Sequence, residues 1–436
     1  MSHPIPRRAI LGGAAAGLAA APFVRAFGPQ EPRDKVKLAV IGLANRGEAN
    51  WTPLAGEEIV ALCDVDPRHA EKARARFPKA KFFTDMRALF DEANAFDGVV
   101  VSTPDHTHAW PTVRALKLGK HVYCEKPLAR SVGEVRAIRK AAAASKGVTQ
   151  MGTQIHAGDN YRRVVEIVRA GVLGPIRDVS VWMSAGPVAM KRLAGAPAPG
   201  FDLDLWRGPV ADDYFAAELA GRLPAKHAWP HFHWRYWWEF GGGQLGDFGC
   251  HFLDLPFWAL GLTTPTRVSA AGQKMPVADN PVPGTMSVQW SFPGPVGLRW
   301  EHGVPGPTVD GSRRTFAGFP SGVLFAGQNG YLLSDYGKYK LYPKALADEF
   351  KPPEPTLAKS AGHHTEWVEA IRGNDTALCP FGYAGNLAEA VQLGNAAYRV
   401  APGRSLAWDA GRGWFEGHPE ADDILHPPVR KGWELG

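Results

Sequence analysis

Short apolar runs alternate with amphipathic segments between residues 35 and 155. The run KVKLAVI (35–41) is apolar on both faces, as buried parallel strands are, whereas PRHAEKARARF (67–77) has the polar face of a surface helix. The same alternation continues through the strand EIVALCDVD, the strand and loop FDGVVVSTPDHTHA, the helix, turn, strand and loop VRALKLGKHVYCEKPLA, and the helix VGEVRAIRKAAAASKG before the strand VTQMGTQ. This pattern predicts a doubly wound parallel sheet, in which ligands bind beyond the carboxyl ends of the strands.

The pattern changes in the second part of the chain, where strand-length segments follow one another with few helices between them. Two helical segments, HTEWVEAIRG (364–373) and YAGNLAEAVQLGNAAYRV (383–400), come near its end. We therefore expect a second α/β domain with an open, mainly antiparallel sheet. Its predicted strands are IRDVSVWMSAG, TRVSAAGQK, MSVQWSF, VGLRWEHG, GVLFAGQNGYLLSDYG and KYKLYP.

The first 30 residues have the pattern of an export signal. Paired Arg7 and Arg8 precede a mildly apolar run (9–24) and a plausible cleavage point after Ala26 or Gly28. This indicates a twin-arginine signal peptide over 1–30, which exports folded proteins to the periplasm. An anchor helix is the alternative, but the Ala/Gly-rich run is short for a bilayer. We also predict a nucleotide-binding domain at 35–155, a substrate-binding and oligomerisation domain at 156–405 and a tail at 406–436. Within the second domain, residues 186–230 are rich in Gly, Pro and Ala, and we interpret this long loop as a lid.

Composition excludes several classes of function. The 436 residues include 45% apolar and 21% charged residues, which are values of a globular protein with sizeable cores. A net charge of +6 without a dense basic block gives no support to nucleic-acid binding. The four cysteines lie far apart and lack zinc spacing, and the histidines at 231, 233, 363 and 364 form no sensible coordinating frame, so we expect no metal.

The turn after the first strand carries a variant of the dinucleotide-binding fingerprint. Its sequence is Gly42-x-Ala44-x-x-Gly47, and Asp64 follows Gly42 by 22 residues at the end of the next strand. In Rossmann domains the glycines admit the pyrophosphate, and an acidic residue near this spacing binds the ribose hydroxyls and repels a 2′-phosphate. We therefore predict NAD rather than NADP. An ordinary strand–helix turn without a nucleotide is the alternative.

Two later loops, at the carboxyl ends of predicted strands, carry reactive side chains. TPDHTH (103–108) offers Asp105, His106 and His108, which we interpret as contacts to the nicotinamide ribose, plain loop polarity being the alternative. In CEKPL (124–128), Lys126 precedes Pro127, and a cis bond there would direct the lysine into the cleft.

A third group of polar side chains lies on one helix. If residues 246–260 are helical, then Asp247, His251 and Asp254 share a face, because positions i, i+4 and i+7 nearly eclipse. The helix is otherwise apolar, and Gly241–Gly243 before it suggest a turn close to a ligand. The alternative is that Asp247 caps the helix and His251 packs in the core.

In combination and in order, these motifs are similar to those of the Gfo/Idh/MocA oxidoreductases, the relatives of glucose-fructose oxidoreductase and inositol 2-dehydrogenase. The resemblance runs from GLANRG through TPDHTHA, EKPL and GGGQLGDFGCHFLD to AVQLGNAAYRV, nearly all of residues 35–400. It implies that Lys126, Asp247 and His251 are catalytic: His251 takes the hydroxyl proton, Lys126 stabilises the developing alkoxide, and Asp247 binds a hydroxyl or orients the imidazole.

The resemblance also implies a wider site. Asp254 is expected to orient His251, and aromatic residues to line a sugar cleft. It implies a homodimer or homotetramer through the outer face of the second sheet. The residues predicted to bind substrate are Gln154, His156, Trp234, Arg235 and Asp254. The residues predicted to bind the cofactor are Gly42, Ala44, Asn45, Arg46, Gly47, Asp64, Thr103, His106, Glu125 and Lys126.

Three functions remain open from the sequence. The leading one is an exported NAD(P)-dependent oxidoreductase of a sugar or polyol. The second is a redox-assisted glycoside hydrolase or lyase that regenerates its cofactor in each turnover, which suits a periplasm without free NAD. The third is a sugar-binding protein without catalysis, which would have no need of Lys126, Asp247 and His251 together.

Overall fold

A computed structural model describes residues 35–185, 199–211, 233–275 and 280–436. The predicted signal peptide, most of the predicted lid and His231 lie outside these ranges. None of the helices among the described residues combines the length and apolarity needed to cross a membrane.

The first domain contains the predicted parallel sheet, with six strands in the order β3-β2-β1-β4-β5-β6. From β1 the strands β2 and β3 follow towards one edge of the sheet, whereas β4, β5 and β6 follow towards the other edge. The boundary between β1 and β4 is therefore the switch point at which doubly wound sheets bind ligands. The elements are β1 (Lys37–Ile41), α1 (Arg46–Trp51), β2 (Glu58–Cys63), α2 (Pro67–Arg76), β3 (Lys81–Phe83), α3 (Met86–Asp91), β4 (Gly98–Val101), α4 (Ala109–Lys117), β5 (His121–Cys124), α5 (Val132–Ala144) and β6 (Thr149–Met151).

The second sheet has nine strands in the order β15-β14-β13-β7-β10-β9-β8-β16-β17. Only the pair β7–β10 is parallel among its neighbours, so the prediction of a mainly antiparallel sheet is confirmed. Its strands are β7 (Ile176–Met183), β8 (Arg267–Gln273), β9 (Thr285–Ser291), β10 (Gly297–His302), β13 (Ser321–Gly327), β14 (Gly330–Ser334), β15 (Tyr339–Tyr342), β16 (Ser405–Asp409) and β17 (Trp414–Phe415), and a separate hairpin holds β11 (Thr308–Val309) and β12 (Ser312–Arg313).

Helices connect and cover the two sheets. The predicted helix at 246–260 is α8 (Gly243–Leu260), which begins three residues earlier. Gly243 has φ of +60°, and a Cβ there would lie 2.2 Å from Cγ1 of Val282, so this start of the helix requires glycine. The other helices of this part of the chain are α6 (Asp159–Arg169), α7 (Leu203–Arg207), α9 (Lys344–Glu349), α10 (His363–Ile371), α11 (Phe381–Val400) and α12 (Asp422–Leu425).

Large buried side chains pack the described elements together in four hydrophobic clusters. Trp182, Trp290, Trp300 and Trp367 are at most 1% exposed, and α8 buries most of its residues against α6 and α11. All four cysteines are buried as free thiols. Helix α8 is therefore held rigidly at the place where its first turns approach the carboxyl ends of the first sheet.

Candidate active site

A cavity of about 330 Å³ lies between the carboxyl ends of the parallel strands and the first half of α8. Residues predicted to bind the cofactor and residues predicted to be catalytic line it together. Among its lining residues are Gly42, Ala44, Asn45, Arg46, Asp64, Thr103, Asp105, Glu125, Lys126, Leu205, Trp206, Trp234, Arg235, Asp247 and His251.

The glycine turn at one end of the cavity is tight. Gly42 has φ of +85°, and a Cβ there would lie 2.7 Å from the carbonyl of Ser102. At Gly47 a Cβ would lie 2.1 Å from the Gly42 oxygen. Both glycines are therefore required for the turn to close, although Gly47 supports the turn from behind and does not line the cavity.

Asp64 lies at the carboxyl end of β2, beside the glycine turn. Its Oδ2 accepts a hydrogen bond of 2.8 Å from the Leu43 amide, and its Oδ1 accepts one of 3.0 Å from the Asp66 amide. Burial raises the pKa of this carboxyl. Asp66 points away from the cavity, since it caps α2 and pairs with Arg68, so only Asp64 is placed for a ribose.

At the other end of the cavity, Lys126 and Asp247 form an ion pair. The Lys126 Nζ lies 2.6 Å from both Oδ1 and the carbonyl oxygen of Asp247, and the Arg235 Nε lies 3.3 Å from Oδ2. Burial alone would raise the pKa of Asp247, but Lys126 and Arg235 outweigh it and lower the pKa to about 2. Asp247 is therefore an anion at neutral pH. The Lys126–Pro127 bond is cis.

His251 lies one turn beyond Asp247 on the same face of α8. Burial, followed by the nearby Lys126 cation, lowers the pKa of His251 to about 3, although Asp247 acts in the opposite direction. The imidazole is therefore neutral at pH 7 and can accept a proton or a hydrogen bond.

His106 does not take the predicted place in the cofactor site. It is fully buried, its Nε2 lies 2.8 Å from the carbonyl oxygen of Trp206, and its ring packs against Trp206 and Phe240. The neighbouring Asp105 lines the cavity instead. His108 ties the two loops together, with its ring nitrogens 2.8 Å from the Pro127 oxygen and 2.7 Å from the Thr103 oxygen.

Three of the residues predicted to bind substrate lie away from the cavity. The Nδ1 of His156 is 2.9 Å from Oδ2 of Asp254, and Tyr383 donates a hydrogen bond of 2.6 Å to Oδ1. Asp254 thus pairs with His156 in the core and does not orient His251. Gln154 donates to Oε1 of Glu125 at 2.7 Å, so it supports a cavity residue from behind.

The glycines before α8 have a different role from the predicted one. A Cβ at Gly241 would lie 2.8 Å from the Cα of Arg235, and one at Gly242 would lie 2.5 Å from Nδ2 of Asn395. These glycines allow close packing of the protein on itself, and they do not line the cavity. Trp234 and Arg235 do line it, with the guanidinium carbon 4.4 Å from the centre of the indole ring.

Some residues in or behind the cavity were not singled out from the sequence. Leu205 and Trp206, on α7, form part of the wall from within the segment interpreted as a lid. Asn50 holds two loops together behind the cavity, donating to Oγ of Ser102 at 2.9 Å and to Oε1 of Glu125 at 3.0 Å. Only the three-dimensional arrangement shows these contacts, because the partners are 52 and 75 residues apart.

The cavity has the features that a nicotinamide dinucleotide requires. The glycine turn leaves space for a pyrophosphate to approach the backbone at the start of α1. Asp64 provides a carboxylate for ribose hydroxyls. The buried Thr103 hydroxyl has no hydrogen-bond partner among the described residues, so a ligand can satisfy it.

Comparison with known proteins agrees with this geometry. Residues 36–153 match the Gfo/Idh/MocA family, described as an oxidoreductase family with an NAD-binding Rossmann fold. The match covers the six-stranded parallel sheet and the glycine turn. The cavity lies at the carboxyl ends of the parallel strands within this matched region.

Similar proteins extend the comparison. The inositol 2-dehydrogenase of Burkholderia multivorans is 26% identical over 205 residues, and a glycosyl hydrolase family 109 protein of Solibacter usitatus is 32% identical over 160 residues. These matches cover 45% and 34% of this chain, and the chain spans only 60% and 36% of those two proteins. Among solved structures, this chain superposes on the WlbA dehydrogenase of Bordetella pertussis, which was solved with NADH and UDP-GlcNAcA. The TM-score is 0.58 at 18% identity, over 86% of this chain and 99% of that one, so both domains share the fold of that protein.

Proposed function

We propose that the protein is an NAD(P)-dependent oxidoreductase that acts on a sugar, a polyol or a sugar derivative by hydride transfer at a carbinol carbon. The observation that carries this proposal is the meeting of Lys126, Asp247 and His251 in a cavity that continues to the glycine turn. A binding protein without catalysis would have no need to bury these three groups together.

The chain's own groups can prepare a hydroxyl for oxidation. The bound nicotinamide would supply the hydride acceptor. Lys126 uses two of its three N–H groups on Asp247, which leaves one to donate to the substrate oxygen and stabilise alkoxide character. The neutral His251 accepts the hydroxyl proton or a hydrogen bond from the hydroxyl. Asp247 fixes the position of the ammonium and accepts from a neighbouring hydroxyl.

A second candidate function is supported by one comparison. The similarity to a glycosyl hydrolase family 109 protein favours a redox-assisted hydrolase or lyase, in which the same residues act and the cofactor returns to its starting state. The two functions differ in their products: a dehydrogenase leaves an oxidised sugar, whereas the hydrolase releases an aglycone with no net change in NAD.

Nucleotide content is the first test. The purified mature protein is denatured, and the released small molecules are identified by mass spectrometry. Stoichiometric NAD(H) or NADP(H) is expected for a closed redox cycle. If the extract is empty, the protein is assayed for nucleotide binding, and failure to bind any nicotinamide nucleotide would contradict both candidate functions.

Turnover is the second test. Sugars, polyols and glycosides are incubated with the protein and nucleotide, and products are detected by chromatography. We expect Lys126→Met and His251→Asn to lower turnover by about 100- to 1,000-fold, because each removes a group that stabilises charge or moves a proton in the transition state. Lys140→Met, which changes an exposed lysine on α5, is the matched control and is expected to retain activity.

Localisation and assembly complete the proposal. Export by the twin-arginine route to the periplasm is supported by Arg7, Arg8 and the apolar run that follows. A homodimer or homotetramer is supported by the resemblance alone. Fractionation of cells carrying the wild-type chain or the Arg7→Lys, Arg8→Lys double variant tests the first, and light scattering of the purified protein tests the second.

A further inference from the structure

Asp105 is a cavity carboxyl to which the mechanism above gives no role. It begins a short helical turn after β4, lines the cavity and is 5% exposed. Its Oδ2 lies 4.0 Å from the position that a Cβ on Gly246 would occupy, so it packs against α8 next to Asp247. Asp105 thus lies at the catalytic end of the cavity, where Lys126 and His251 also lie.

The surroundings of Asp105 include charges of both signs. Lys126 and Arg235 favour the ionised form of Asp105, whereas Asp247 disfavours it. The charge of Asp105 in turn raises the pKa of the buried thiols of Cys124 and Cys250. Burial is the largest influence, and with Asp247 it raises the pKa of Asp105 to about 8 against the two cations. In contrast to Asp247, Asp105 forms no ion pair at contact distance within the described residues.

Asp105 differs from Asp247 and His251 in how easily it can change its protonation state. Asp247 is ionised and His251 is neutral throughout the neutral range, so neither has a second protonation state close in free energy. Asp105 alone among these three has both states within reach near pH 8. A change of one unit charge in the cavity is therefore enough to shift its protonation, because Coulomb interactions are weakly screened in a buried site.

The proposed reaction makes such a change. A nicotinamide ring is positively charged when oxidised and neutral when reduced, and oxidation of an alcohol releases one proton. We propose that Asp105 is the group that finally holds the proton released from the substrate hydroxyl, ionised when the bound nucleotide is oxidised and protonated when it is reduced. This inference rests on the proposed function, and it gives Asp105 a role that neither the motif nor the resemblance assigned.

The step balances in atoms and charge. The substrate C–H bond breaks and its electron pair leaves with the hydride to the nicotinamide, while the O–H bond breaks and a C=O bond forms. The proton passes to the Asp105 carboxylate, directly or through the neutral His251. The cavity loses the positive charge of the ring and the negative charge of Asp105 together, so its net charge is constant. In a closed redox cycle Asp105 returns the same proton.

The test measures nucleotide affinity and needs no substrate. Dissociation constants of NAD⁺ and NADH are determined between pH 6 and pH 10 by displacement of isotope-labelled nucleotide, which also works if the protein retains bound nucleotide. For the wild type we expect the ratio of the NADH to the NAD⁺ dissociation constant to rise with pH, by about tenfold between pH 7 and pH 9, because ionised Asp105 favours the charged ring. Asp105→Asn, which keeps the shape of the side chain, is expected to give a flat ratio.

Control variants separate the possible outcomes. Asp348→Asn changes an exposed carboxylate that pairs with Lys344, and it is expected to keep the wild-type rise. Asp105→Glu restores a carboxyl and is expected to restore a pH-dependent ratio, and Asp105→Ser replaces Asp105→Asn if the latter does not fold. A rise in Asp105→Asn or Asp105→Ser equal to that of the wild type, or a flat ratio in the wild type, overturns the inference. Failure of the wild type to bind either nucleotide contradicts the proposed function instead.

Discussion

The chemistry of the cavity depends on how three acidic or basic side chains differ in protonation over a few ångströms. Asp247 is held as an anion between Lys126 and Arg235, His251 is held neutral by burial, and Asp105 lies near its midpoint at slightly alkaline pH. Environment rather than residue type decides each state, since two aspartates in one cavity have pKa values of about 2 and about 8.

The raised pKa of Asp105 predicts a loss of stability with rising pH. Without bound nucleotide, the folded protein keeps this proton up to about pH 8, whereas the unfolded chain releases it near pH 4, so the free energy of unfolding of the nucleotide-free protein falls as pH rises between these values. Asp105→Asn removes this contribution. We expect the variant to match the wild type at pH 4.5 and to melt about 2–4 °C higher at pH 8.5, measured by scanning calorimetry. A melting difference that does not depend on pH would contradict the expectation.

Asp64 is expected to decide which nucleotide binds. Its carboxylate repels a 2′-phosphate, and Asp64→Asn removes the charge while keeping an oxygen for the Leu43 amide. We expect the ratio of NADP⁺ to NAD⁺ affinity to increase about tenfold, measured by isothermal titration calorimetry. Asp66→Asn is the control: it weakens the cap of α2 but lies outside the cavity, so the ratio should not change.

At the scale of single elements, the turn between β1 and α1 has no space for a larger residue. A Cβ at Gly47 would contact the Gly42 oxygen at 2.1 Å, which requires the backbone to move. We expect Gly47→Ala to lower the melting temperature and to weaken nucleotide binding by more than about tenfold. Gly56→Ala is the matched control, because a Cβ there meets nothing within 4 Å, and it should leave both quantities unchanged.

Helix α8 shows both the success and the limit of prediction from sequence. Its period placed Asp247, His251 and Asp254 on one face, and the first two do line the cavity. Asp254 is about 10 Å further along the axis than Asp247, at 1.5 Å per residue, and there the same face is covered by His156 and Tyr383. Periodicity gives the direction of a side chain, but the depth of the cavity depends on distant segments of the chain.

The loop between β4 and α4 shows a second limit. The motif TPDHTH indicated a cavity-facing loop, and Thr103 and Asp105 do line the cavity. The sequence could not distinguish Asp105 from His106, because one residue of a short helical turn changes the direction of a side chain by about 120°. The parallel strands and the glycine turn were predictable because they depend on local pattern, whereas the supporting contacts of Asn50 and Trp206 were not.

At the scale of the whole molecule, the C-terminal segment holds one wall of the cavity. Val429 forms a β-bridge with Val210, and the Arg430 guanidinium lies 2.8 and 3.0 Å from the two carboxylate oxygens of Asp204 on α7. Trp433 packs edge-on against Trp110 of α4. Residues far from the cavity in sequence thus fix the helix that carries Leu205 and Trp206.

This arrangement predicts an effect of a remote substitution on ligand binding. We expect Arg430→Ala to raise the nucleotide dissociation constant about threefold to tenfold, because α7 loses an ion pair whose arginine is only 12% exposed. Arg412→Ala removes a 73% exposed arginine from the same part of the chain and should have no effect. Equal affinities for both variants would show that α7 does not depend on this contact.

The burial of the four thiols bears on when this chain can fold. Cys63 is 2% exposed and Cys124, Cys250 and Cys379 are 0% exposed, all without a disulfide. A chain that entered an oxidising compartment unfolded would present four thiols for oxidation and mispairing, although the native structure contains no disulfide. Folding in a reducing cytoplasm removes that hazard, because the thiols are then inaccessible to oxidants. Export of the folded protein, as proposed above, would therefore keep these thiols buried and protected from oxidation.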